Sequence, residues 1–384
     1  MTLYVGHAEK RLCHGGVMGK DIQVASVREQ EIDHECTSWL AFSDVLKNDT
    51  VILHKNRDSK NREVGCVMGN ATAKRHWLGM GDCNVNNPCM GMNDNGLMGV
   101  MNSGELCTDN GANPKATKTP GILKAVLATC DTAVQAVECL KGFIERNDYY
   151  HNDRGSIFFF MDAREAYIVE ITAHFMSPQR YDHGFAYRAN IWHNHDMASY
   201  SINTVTSFLD SCHREYVVKK TLSEIIRSNG CLTVNDCLKL SRNHQIMPES
   251  KVESRVCNER TNSACTMELE LSSPDVLSTM WALLGHPCHT IQIPIPICTT
   301  AFTESMRTSA WAGKSYQRMA EQGPFGDIPQ AWLDFEEMTF AQYRETQNQA
   351  RELLKQHNKA AAIKLLNETA AAIWDKAAKL LEIQ

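Results

Sequence analysis

Short apolar runs come in pairs along this chain, and each pair is joined by residues that favour a tight turn. The clearest case is PCMGMNDNGLMGVMN, residues 88–102, in which Asn93-Asp94-Asn95-Gly96 separates two strand-like runs. Asn, Asp and Gly tolerate the positive φ that a two-strand turn demands. GSIFFFMDAREAYIVEIT (155–172) repeats the form and turns at Asp162–Glu165. CTSWLAFSDVL (36–46) and TVILHKNRD (50–58) do so around KNDT. Paired strands joined this closely are antiparallel, and there is no regular βαβ alternation.

Helical patterns alternate with the hairpins. GILKAVLATCDTAVQAVECLKGFIER (121–146) predicts two helices, with Asp131 or Thr132 capping the second. Residues 202–228 and 233–244 read as further helices. TMELEL and TMWALLG return to strand, and prolines break IQIPIPI. From about Phe335 the chain is rich in Ala, Glu, Lys, Gln and Leu. There Ile363, Leu366, Ala370, Ile373, Ala377 and Leu380 follow helical 3,4 spacing, which predicts a hairpin of helices packed on the main body. The expected class is α+β, antiparallel sheets layered with helices. The expected divisions are a glycine-containing, charged leader (1–35), a main domain (36–330) and the helical hairpin (331–384).

The net charge of −6 and the lack of a Lys/Arg-rich run argue against a nucleic-acid partner. No apolar stretch is long enough to predict a membrane span, and residues 1–35 lack the apolar core of a secretory signal. Fifteen scattered cysteines, without a C-x-x-C pair, fit free thiols in a reducing cytoplasm better than a disulfide scaffold. There is no P-loop and no GxGxxG, so no cofactor is expected. HNHD (193–196) and Cys288-His289 are isolated, so no metal is expected either. A small-molecule partner follows, and self-association is left open.

Among the thiols, Cys36 stands out by its neighbourhood. Thr37 and Ser38 follow it, and Lys55, Asn56, Arg57 and Asp58 end the next strand-like run. If the two runs pair as a hairpin, these polar groups return beside the thiol. Such a setting suits a nucleophile. A Cys–His pair of the papain type has no local signature to support it.

The run ECTSWLAF…TVILHKNRDS, followed by GMNDNGLMGVMNSGE, resembles the N-terminal-nucleophile (Ntn) amide hydrolases. Within these it is similar to the group of choloylglycine hydrolases, penicillin V acylase, isopenicillin N acyltransferases and related cysteine dipeptidases. The similarity spans roughly 36–297 and implies a four-layer αββα fold. It places Cys36 at the nucleophile and Asp58 at the aspartate that meets the nucleophile's amino group. Asn102 and Asn190 fall at or near the asparagines of the oxyanion hole. Lys55 stands where that group usually carries arginine, and Arg57 lies two residues on. A further arginine of the group corresponds to Arg255 or Arg260. The implied activity is hydrolysis of a linear amide through a thioester, with acyl transfer, dipeptide cleavage and non-catalytic ligand binding as the alternatives.

The resemblance has a chemical consequence. An α-amino group near pKa 7.7–8.0 can take the proton of a thiol near 8.5, whereas a peptide nitrogen cannot. Cys36 would therefore have to become the first residue, through cleavage of the Glu35–Cys36 bond.

Overall fold

The computed structural model describes residues 36–69, 73–111, 113–246 and 253–383. The expected leader, 1–35, lies outside them. Among the described residues, thirteen strands form two antiparallel sheets. The first runs in the order β10 (Phe185–Arg188), β1 (Cys36–Ala41), β2 (Thr50–Asp58), β11 (Thr261–Glu270), β12 (Thr279–Leu283), β13 (Gln292–Pro296). The second is a meander in chain order: β3 (Val64–Met68), β4 (Trp77–Asp82), β5 (Asn87–Asn93), β6 (Met98–Leu106), β7 (Arg154–Met161), β8 (Ala166–Ile171), β9 (Met176–Tyr181).

The inner faces meet where β1 and β2 lie over β6. Their apolar side chains, Leu40, Leu53, Met90, Val100, Ile157 and Met267 among them, belong to one buried cluster. Helices α1 (Thr119–Thr129) and α2 (Ala133–Glu145) cover the second sheet. Helices α3 (Val205–Asn229) and α4 (Val234–Ser241) pack on the first sheet's β10–β11 half. After α5 (Ala310–Gln322), the pair α6 (Gln330–Lys355) and α7 (Lys359–Leu380) packs against β13. The order is helix, sheet, sheet, helix: the four layers that the resemblance implies.

Local chemistry explains the boundaries. Gly96 takes φ +87° in the β5–β6 turn, a conformation that favours glycine. The Asn93 carboxamide accepts from the Asn95 and Leu97 amides, and its nitrogen donates to the carbonyls of Leu127 and Cys130. One side chain thus shapes the turn and docks it on the end of α1. Thr132, rather than Asp131, caps α2 by accepting from Gln135 N. Thr233 and Asp236 form a capping box on α4.

IQIPIPI forms a strand in spite of its prolines. β13 is an edge strand paired only with β12, so its prolines remove no hydrogen bond from a second neighbour. The seam of α7 follows the spacing read above at Leu366, Ala370, Ile373 and Ala377 and departs from it only at the two ends. Ala362, Leu366, Ala370, Ile373, Ala377 and Leu381 are buried, and Leu380 is 40% exposed.

Candidate functional site

Cys36 opens β1 and lies opposite Arg57; Thr37 lies opposite Asn56 and Ser38 opposite Lys55. Side chains alternate along a strand, so Cys36, Ser38, Lys55 and Arg57 share the face turned toward the second sheet. There Asn102, on β6, receives two hydrogen bonds at its carboxamide oxygen. Ser38 Oγ and Lys55 Nζ both donate to it at 2.8 Å. Its nitrogen donates to the carbonyls of Ala189, at 3.0 Å, and Arg188, at 3.3 Å. Asn102 therefore ties together β1, β2 and the segment after β10. Its side-chain donors are engaged by backbone, so its contact with the site runs through Lys55.

Asn190 touches Cys36 directly. The Cys36 N–H donates to Asn190 Oδ1 at 2.9 Å, and Asn190 Nδ2 donates to the Ser103 carbonyl at 2.8 Å. Three buried glutamates hold the loop that carries it. Glu215 accepts from the Ala189 amide, Glu105 from Trp192, and Glu170 from both His193 and Asn194. Arg188 balances Glu170 with an ion pair at 3.2 Å. The Trp192 indole lies across β6 and β7 at Gly104 and Gly155. A Cβ at Gly155 would come within 2.3 Å of the ring, so glycine is what lets this loop settle on the sheet. His193 bonds to Glu215 and Asn194 to the Ser177 carbonyl, so the first two residues of HNHD hold the loop.

The arginine that reaches Cys36 is Arg214, on α3. It donates from Nη1 to the Cys36 carbonyl at 2.7 Å and to Thr37 Oγ1 at 2.9 Å. From Nη2 it donates to Asn190 Oδ1 at 2.9 Å and to Asp210 at 2.8 Å. Neither arginine suggested by the sequence takes this place. Arg255 lies over the Phe325 ring and pairs with Glu253, and Arg260 pairs with Glu259. Arg214 was missed because its signal is tertiary. In SCHREY it reads as one more charge on a helix, and the only local clue is Asp210 one turn earlier.

Asp58 ends β2 and is buried. Its oxygens accept from Asn258 Nδ2 at 2.8 Å and Thr261 Oγ1 at 2.7 Å. Burial pushes its carboxyl up to about 6, against the opposing pull of Arg214, those two hydrogen bonds and Lys55. Within the unbroken chain the Cys36 amide proton goes to Asn190 rather than to Asp58.

His54 lies on the opposite face of β2 from Lys55. It stacks on Trp39 with centroids 3.8 Å apart and hydrogen-bonds Thr266 and Asn56. Burial drives its imidazole down to about 3, so it stays neutral and structural. The five residues singled out by the sequence, Cys36, Lys55, Asp58, Asn102 and Asn190, thus stand on the paired ends of β1 and β2 and the two segments that cross them. Charged groups flank a cysteine whose backbone is held at both its N–H and its C=O. Such an arrangement can bind a cation at the Cys36 nitrogen and oppose negative charge beside it.

No family model matches the chain, and no curated protein sequence matches it. Solved structures do align with it, among them three hydrolases or acylases. A conjugated bile acid hydrolase from Clostridium perfringens is 13% identical, over 68% of this chain and 92% of its own, with a TM-score of 0.46. A Caenorhabditis elegans ortholog of N-acylethanolamine-hydrolyzing acid amidase is 14% identical, over 63% and 94%, with a TM-score of 0.42. Penicillin V acylase from Agrobacterium tumefaciens is 12% identical, over 68% and 86%, with a TM-score of 0.43.

Proposed function

We propose that this chain is a cysteine Ntn amidohydrolase that acts on a linear, non-peptide or small-peptide amide after the bond before Cys36 is cut. One observation carries the reading: the site grips the main chain of Cys36, its nitrogen on Asn190 and its carbonyl on Arg214. Any buried main-chain group needs a partner; what supports the reading is that both partners here are polar side chains drawn from the Asn190 loop and α3. An N-terminal nucleophile needs its nitrogen positioned, because its own amine is the base and must be held against the thiol.

In the proposed reaction the α-amine of Cys36 takes the thiol proton, and the sulfur attacks the amide carbonyl. Asn190 donates to the developing oxyanion. The ammonium returns its proton to the leaving amine, and a thioester remains. Water, activated by the same amine, then hydrolyses it. Lys55 supplies positive charge beside the sulfur, and Asn102 fixes the position of Lys55. Asp58, as a carboxylate, stabilises the new ammonium, and Arg214 holds the Cys36 carbonyl. The same thiol, attacking the Glu35 carbonyl, accounts for removal of residues 1–35. Among the described residues the cysteines are free, and no helix is long and apolar enough to cross a membrane. The free thiols support a reducing compartment such as the cytoplasm.

Intact mass and N-terminal sequencing of the wild-type protein and of Cys36→Ala test the cleavage step. The wild type is expected to begin at Cys36 and the variant to keep its leader. A panel of N-acyl amides, conjugated amides and dipeptides then tests turnover. A wild-type protein that keeps residues 1–35 and turns over no member of the panel refutes the reading.

A further inference from the structure

Away from the Cys36 thiol, three side chains from distant parts of the sequence converge. Cys257 precedes β11, Cys288 follows β12, and His244 follows α4. Their Sγ and imidazole nitrogen atoms all lie within 4.8 Å of one another. The two sulfurs are 3.8 Å apart, and Cys288 Sγ is 3.1 Å from His244 Nε2. Two thiolates bound to one tetrahedral zinc, each at about 2.3 Å, stand about 3.8 Å apart. A thiolate and an imidazole nitrogen on the same ion stand about 3.6 Å apart, so the His244 ring would withdraw by about half an ångström.

We propose that Cys257, Cys288 and His244 bind a zinc ion. Two sulfurs and an imidazole select a soft or borderline cation over magnesium or calcium. Both cysteines are buried. Two thiolates cancel the charge of a divalent ion, which a buried site requires. Arg242, which stands near the sulfurs, is already balanced by Glu336, to which it donates twice at 2.7 Å. His286 supports the cluster from outside. Its Nδ1 accepts from the Cys288 amide, and its Nε2 faces the Asn258 carbonyl at 3.1 Å. That arrangement fixes the ring and orients the segment bearing Cys288, as outer hydrogen bonds do around metal ligands. The Phe325 ring packs on His244 with centroids 4.7 Å apart. Solvent completes the fourth position.

The ion would also reach the first site. Cys257 is bonded to Asn258, and Asn258 Nδ2 holds Asp58. Zinc would therefore tie down the segment that positions the carboxylate. This consequence rests on the function proposed above; the metal site itself does not.

The test is metal content of the full chain, measured by inductively coupled plasma mass spectrometry after dialysis against micromolar zinc and then metal-free buffer. About one zinc per chain is expected in the wild type and in Cys36→Ala, which lacks only the nucleophile. Cys257→Ser and Cys288→Ser are expected to lose it. Cobalt substitution should give the thiolate-to-metal charge-transfer and intense d–d bands of a tetrahedral ion. A variant that fails to fold leaves a second measurement on the wild type. Zinc should protect Cys257 and Cys288 from iodoacetamide at least tenfold in rate, and a chelator should remove the protection. Wild-type protein that binds no zinc, binding unaffected by either serine substitution in folded protein, or a mass lower by two hydrogens from a Cys257–Cys288 disulfide would each overturn the proposal. Zinc binding by a protein that hydrolyses no amide would leave this site standing and the proposed activity refuted.

Discussion

Asp58 gives the chain a pH dependence of stability that can be isolated by substitution. Its carboxyl is raised from 3.8 to about 6 by burial. A carboxyl raised on folding binds its proton more tightly in the native state. Its contribution to stability is therefore complete below about pH 4 and is lost as pH rises through about 6. Between those values the slope is about −1.4 kcal/mol per pH unit, so the loss totals about 3 kcal/mol. Asp58→Asn removes the titration while keeping the shape. The clean background is Cys36→Ala, which keeps the peptide bond before residue 36 and so forms no ammonium. Urea denaturation of Cys36→Ala with and without Asp58→Asn, from pH 4 to 7.5, gives two stability curves whose difference cancels every other titrating group. The expected result is that Asp58→Asn becomes about 3 kcal/mol more favourable, relative to its parent, at pH 7.5 than at pH 4. In cleaved protein the tilt should shrink, because an ammonium at Cys36 favours the carboxylate. A difference that stays flat with pH would show that Asp58 is solvated or already ionised at pH 4, and the argument from its burial would fall.

Three further outcomes follow from the contacts described. Asn190→Ala removes both the acceptor for the Cys36 nitrogen and the proposed oxyanion donor; kcat should fall about 10²–10³-fold, with a smaller change in KM, in steady-state assays of cleaved protein. Arg214→Met removes the buried guanidinium that pairs with Asp210 and holds the Cys36 carbonyl and should cost about 3–5 kcal/mol in chemical denaturation, while mass spectrometry should show slowed removal of residues 1–35. Leu366→Ala opens a cavity in the α7 seam and should cost about 2–5 kcal/mol, with turnover at a temperature well below the melting transition unchanged; a loss under about 1 kcal/mol would mean that α7 packs loosely.

The hairpins and helices were legible because their causes are local. Alternation of apolar residues, the Asn-Gly turn at 93–96 and the Thr132 and Thr233 caps act over a few positions, and the chain states them directly. The same holds for Cys36 with Lys55 and Asp58, since one hairpin is enough to carry the end of β2 back beside the start of β1. Two expectations that used local rules too strictly needed the sheet and the helix layer to correct them. Prolines at 294 and 296 are tolerated because β13 has a neighbour on one side only, and Leu381, the C-cap of α7, is buried in place of Leu380. Arg214, the glutamates under the Asn190 loop and the His244–Cys257–Cys288 cluster had no comparable signal. Each depends on side chains from segments tens of residues or more apart, and no periodicity or motif records a distance of that kind. The chain by itself determined the main hairpins, though not β3, β4, β9, β10 or β13, and which cysteine opens the first strand. Only the packing of α3, the 189–194 loop and β11 around that strand decided which charges Cys36 meets, because buried ions and hydrogen bonds are selected by the tertiary space they must share.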